Sequence, residues 1–97
     1  MAVVLYDELV TLSATSPKLW NERGVALHQD GKFADAEESY RRAVQAELGY
    51  ALAHNNLGVA LYHRGNTEEA VAAFRVALDA QPTFNKARLN LALLLSK

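Results

Sequence analysis

The sequence predicts an all-α array of stacked helix-turn-helix units, an α-solenoid. A 34-residue self-similarity is the first ground: Gly24, Val25, Ala26 and Leu27 recur as Gly58, Val59, Ala60 and Leu61, and Gly31, Ala36, Tyr40, Arg41 and Ala43 recur as Gly65, Ala70, Phe74, Arg75 and Ala77. One further step turns Ala53, Asn56 and Leu57 into Ala87, Asn90 and Leu91. A fixed period of this size marks stacked repeats, each of which needs its neighbours to bury its apolar face. The second ground is that the unit reads as two amphipathic helices joined by a glycine turn. The third is composition: 51% of residues are apolar and only 2 are Pro, which excludes a disordered chain.

Residues 2–13 open the chain as a helix, with Val3, Tyr6, Leu9, Val10 and Leu12 near helical spacing. Ala2, Tyr6 and Leu9 stand 34 before Ala36, Tyr40 and Ala43, so this is the second half of a repeat whose first half is missing. Ser16 is placed to cap the next helix, and Pro17 suits a first turn, where no N–H is needed.

Repeat one is expected to place helix A over 17–30 and helix B over 33–47, with Gly31-Lys32 turning the chain and Gly49 supplying the break. Repeat two places helix A over 51–64, a turn at Gly65 and helix B over 67–80, where Thr67-Glu68-Glu69 puts negative charge in a first turn that favours it. Residues 85–96 form a last helix A with no helix B after it. The expected domain is therefore single, 1–97: a half repeat over 1–16, full repeats over 17–50 and 51–84, and a half repeat over 85–97. The starting half repeat favours a piece of a longer array.

Net charge is -1, from 10 basic and 11 acidic residues, which gives no broad basic field for nucleic acid and no polybasic membrane anchor. There is no cysteine, so disulfides and thiolate metal sites are absent. No run reaches the ~18 apolar residues of a membrane span, and a cytoplasmic location is the default expectation.

The spacing resembles the tetratricopeptide repeat, whose signature is a large residue, Leu and Gly, Tyr, then Ala, Phe, Ala and Pro. Repeat two carries Leu57, Gly58, Ala70, Phe74, Ala77 and Pro82, departing at His54, where the large residue is usual, and at Leu61, which stands for Tyr. Repeat one carries Trp20, Gly24, Leu27, Ala36, Tyr40 and Ala43, departing at Arg23 and Leu48. The resemblance implies about six antiparallel helices in a right-handed superhelical stack, with Trp20, Tyr40, Leu57, Leu61, Phe74 and Leu91 buried.

No catalytic constellation emerges. His28, His54 and His63 form no i,i+4 pair and have no Cys beside them, so they read as packing or surface histidines rather than metal ligands. No GxSxG, P-loop or GxGxxG is present. The expectation is a chain that is no enzyme and takes no cofactor or metal.

The non-core face of the A helices is more informative. At 100° per residue, Leu52, Asn55, Asn56, Val59, Tyr62 and His63 lie roughly opposite the core face of His54, Leu57, Gly58 and Leu61. The resemblance implies that this face lines a concave groove for an extended peptide or partner segment. Val25, Val59 and Leu93 would form its apolar stripe, joined by Tyr62. Asn56 and Asn90 would form a ladder, similar to the asparagine ladders of the family, because an amide offers both donor and acceptor to a peptide backbone. Asn21, Asn55, His63 and Lys86 stand at the edges.

The family's other mode, a clamp for C-terminal carboxylates, would use Asn21, Val25, Asn56, Lys86 and Asn90. Only Asn56 and Lys86 agree with it, and the missing cations would leave a carboxylate weakly paired. The alternative function is self-assembly into a homo-oligomer through open terminal helices, since Leu89, Leu91, Leu93, Leu94 and Leu95 end the chain without a polar cap.

Overall fold

The computed structural model describes residues 16–96. It contains five helices: α1 (Pro17–Gln29), α2 (Phe33–Ala46), α3 (Ala51–His63), α4 (Thr67–Ala80) and α5 (Asn85–Leu95). The helix expected over 2–13 lies outside the described residues. No strand occurs among them. Helices α1, α3 and α5 are the A helices, and α2 and α4 the B helices. Each helix packs on the next in the chain, and α1 also touches α3 directly.

Local chemistry sets the boundaries. Ser16 Oγ accepts from the Leu19 amide at 3.3 Å, and Pro17 occupies the first turn of α1. The helix ends because Gly31 takes φ +77°, which lets Lys32 N–H reach back to the Leu27 carbonyl at 2.9 Å. One repeat on, Gly65 takes φ +84° and Asn66 N–H reaches Leu61 at 2.9 Å. The B helices stop differently. Glu47 and Gln81, the C-caps of α2 and α4, have φ -141° and -142°. Gly49 is therefore not the break expected of it: it has no positive φ, and the extended residue two positions earlier ends the helix.

The core is built from glycine against aromatic. A Cβ placed on Gly58 would lie 2.6 Å from the Phe74 ring, and Gly24 stands in the same relation to Tyr40. Tyr40, Phe74, Leu57 and Leu61 are buried as expected. Trp20 and Leu91 are only half-buried. The Trp20 ring lies beside the guanidinium carbons of Arg23 and Arg42, at 5.8 and 5.4 Å, an edge position that suits an indole with one polar end. Leu91 lies on α5, which has only α4 packed extensively against it among the described elements, whereas its counterpart Leu57 has helices on both sides.

On the B side, Glu37 accepts from Arg64 at 2.7 Å and from Arg41 at 3.1 Å, and Arg41 reaches Glu69 at 3.1 Å. This network ties α2 to the α3 terminus and to α4. No helix among the described residues is long and apolar enough to cross a membrane.

Candidate functional site

Two hollows open between successive A helices. The first lies between α1 and α3, with Val25, His28 and Gln29 on one wall, Asn56 and Val59 on the other and Tyr40 of α2 beneath; its volume is about 170 Å³. The second lies between α3 and α5, lined by Val59, Tyr62, His63, Asn90, Leu93 and Leu94 over Phe74 of α4; its volume is about 230 Å³. Adding 34 to each of the six residues of the first hollow gives a residue of the second, which has Leu94 besides. The hollow is thus a property of the repeat. The glycine of each A helix lets the B-helix aromatic slide beneath it, and that ring is the floor.

The asparagines sit beside these hollows in pairs. Asn56 Nδ2 donates to Asn21 Oδ1 at 3.0 Å, and Asn90 Nδ2 donates to Asn55 Oδ1 at 3.0 Å. Asn21 and Asn55 are 4% and 2% exposed. They are buried acceptors that tie one A helix to the next, which corrects their expected place at the groove edge. For Asn55 the cause is packing on both flanks of α3: its buried set runs through Ala51, Ala53, Asn55, Leu57, Gly58, Ala60 and Leu61, a wider arc than one apolar face. Asn56 and Asn90 remain half-buried at the surface, each with one N–H spent on its neighbour.

The other expected residues are placed as follows. Val25 and Val59 are half-buried against the core. Leu93 and Tyr62 are 53% and 37% exposed on the second hollow. Lys86 is exposed at the start of α5 and lines neither hollow. His54, expected on the core face, is half-buried with Nε2 2.9 Å from the Leu48 carbonyl.

Sequence reasoning missed a ring cluster at the turn end of the A helices. His63 stacks on Phe33, with centroids 4.9 Å apart and planes at 15°. His28 meets both edge-on, at 4.9 Å from Phe33 and 5.2 Å from His63. Burial, with the charge of His63 second, holds the His28 imidazole below its ordinary pKa. Its buried Nδ1 has no hydrogen-bond partner among the described residues. Residues 28 and 63 differ by 35, one off the repeat, so comparison by the 34-residue frame hides the pair. Among the described residues no three His, Cys, Asp or Glu side chains cluster to hold a metal.

A third hollow lies on the B side, lined by Arg41, His54, Leu57, Leu61, Glu69, Ala72, Ala73 and Val76. The Arg41–Glu69 ion pair joins two of its lining residues.

The model of the family described as Tetratricopeptide repeat matches residues 5–47 and 21–83. The chain belongs to the tetratricopeptide repeat family. Solved structures agree on the fold of this tetratricopeptide-repeat chain. It is similar to the first TPR domain of human RPAP3 at 25% identity and TM-score 0.94, covering 98% of this chain and 75% of that one. The Arabidopsis OM64 TPR domain matches at 26% identity and TM-score 0.91, covering 96% and 77%. The first TPR of Spaghetti (RPAP3), bound to the HSP90 peptide SRMEEVD, matches at 24% identity and TM-score 0.93, covering 97% and 75%. No curated protein sequence matches the chain.

Proposed function

We propose that the chain is a non-catalytic protein-interaction module that takes an extended peptide or partner segment across its A helices. The observation that carries this reading is the pair of repeat-related hollows, free of Lys, Arg, Asp and Glu in their lining, which meet at Val59. The similarity to a TPR domain bound to a peptide supports it. Val25, Val59, Tyr62 and Leu93 supply apolar contact, while Asn56 and Asn90 keep a carbonyl oxygen and one N–H each for a peptide backbone. His63 and Lys86 stand at the edges. Asn21 and Asn55 act through the asparagines they hold.

A clamp for a C-terminal carboxylate has little to work with here: Asn21 is buried and bonded, Val25 is apolar, and Lys86 is the single cation among the matching positions. The SRMEEVD peptide is therefore expected to bind weakly. Self-assembly is the second reading, favoured by Leu89 and Leu95 of α5, which are 61% and 57% exposed.

The test is capture of partners on the immobilised chain, compared with Leu93→Asp and Tyr62→Ala. Both side chains are exposed enough for the fold to keep its core. Loss of the captured proteins from both variants is expected. Recovery of the same set would move binding off the A-helix face, and sedimentation of the free chain would then decide for self-assembly.

A further inference from the structure

The reading of the A-helix face leaves open what kind of segment fits it. Resting on that reading, we propose that one partner segment in polyproline II conformation enters both hollows, with an uncharged hydrogen-bonding side chain beside His28 and an aliphatic side chain over Phe74, three positions apart.

Spacing is the first ground. The hollows are copies one repeat apart, so a segment passes from one to the next by crossing one A helix. Asn56 of α3 hydrogen-bonds Asn21 of α1, and Asn90 of α5 hydrogen-bonds Asn55 of α3, so successive A helices are in direct contact. Helices that touch through their side chains have axes ~8–12 Å apart. A polyproline II helix returns to the same side every 3 residues after about 9.3 Å. A β-strand returns after about 6.7 Å or about 13 Å, short of or beyond the step.

Chemistry is the second ground. The hollow between α3 and α5 is floored by Phe74 and lined by Val59, Leu93 and Leu94 together with Tyr62, His63 and Asn90; its added Leu94, and Leu93 in place of Val59, make it the one that suits an aliphatic group. In the hollow between α1 and α3 the same positions carry Tyr40, Val25 and Val59, with His28 and Gln29 on the wall. These two polar side chains suit a ligand hydroxyl or amide.

Charge is the third. Neither hollow has a charged Lys, Arg, Asp or Glu in its lining, so the two inserted residues are uncharged. Away from the core the A helices carry Lys18 and Lys86 against Glu22, since Arg23 is turned to Ser39 of α2 and Arg88 to the Pro82 carbonyl, whereas the B helices are net acidic. A segment with acidic flanks is drawn to the A side, and a basic one is turned away.

The probe is a set of short fluorescent proline-rich peptides with glutamates at both ends. Each carries one Ser and one Leu placed two, three or four positions apart, in either order, and is titrated by anisotropy against the full chain. The three-apart peptide in one order is expected to bind roughly tenfold tighter than the others. That advantage should disappear in His28→Phe and all binding in Leu93→Asp, with circular dichroism confirming that both variants fold. Equal affinity at every spacing, still lost in Leu93→Asp, would overturn the paired insertion and leave the groove reading standing. Affinity that survives Leu93→Asp would overturn both. No saturable binding by any peptide would overturn the proposal, while partner capture tests the groove reading separately.

Discussion

Asn56 Nδ2 donates to Asn21 Oδ1 at 3.0 Å, and the same bond recurs one repeat later between Asn90 and Asn55. The two surface asparagines thus have a structural task as well as a face toward the hollows. Removing Asn56 would leave the Asn21 carbonyl buried at 4% exposure without that donor. Asn56→Ala is expected to lower stability by ~1–3 kcal/mol, read from urea unfolding. An unchanged midpoint would show that the Asn21 carbonyl finds water instead.

The repeat frame, the five described helices and the turns at Gly31 and Gly65 were legible in the sequence, because period 34, helical spacing and a residue that accepts positive φ are properties of short stretches of chain. The asparagine pairs were not. Asn55 and Asn56 are adjacent, and a helical wheel with one buried face puts both on the outside. Burial of Asn55 follows from α3 being flanked on both sides, which is a tertiary fact. The His28–Phe33–His63 cluster was hidden for a related reason: its members come from α1, α2 and α3 and do not repeat at 34.

Gly58 tests the floor of the second hollow. Its added Cβ would meet the Phe74 ring at 2.6 Å, so the ring must shift. Gly58→Ala is expected to cost ~1–3 kcal/mol by overpacking, despite the better helix propensity of Ala. Phe74→Ala should cost more, ~3–5 kcal/mol. A thermal melt in which Gly58→Ala gains stability would mean that the ring moves without resistance.

Arg23 and Ser39 form a polar pair where repeat two has Leu57 and Ala73. Arg23 donates to the hydroxyl of Ser39, which is fully buried. Arg23→Leu alone should destabilise, because it strands that hydroxyl. Adding Ser39→Ala should recover most of the loss, since both partners then become apolar, as they are one repeat later. A double-mutant cycle measures the coupling. Strict additivity would count against the pair.

Acid should act in two stages. The folded His28 pKa lies below 6.5, so below that pH the unfolded chain takes up a proton that the folded chain resists, and stability falls. His28→Phe keeps a ring against Phe33 and should flatten that stage. For Glu37, burial alone would raise the pKa, but the hydrogen bonds and charges of Arg64 and Arg41 outweigh it and hold the carboxyl below its ordinary value of 4.5. Its contribution is present above that pH and lost as pH falls through the lowered value. Partial exposure limits it to ~0.2–1 kcal/mol. Melting temperature against pH for wild type, His28→Phe and Glu37→Gln separates the stages. A His28→Phe curve parallel to wild type between pH 7 and 5 would rule out the first.

The most direct measurement is amide and methyl NMR of the labelled chain titrated with a peptide from a captured partner. The shifted resonances should gather at Val25, His28, Asn56, Val59, Tyr62, Asn90 and Leu93, the walls of the two hollows, and saturate together. Shifts confined to Glu69, Ala72 and Val76 would place the partner on the B side and contradict the account.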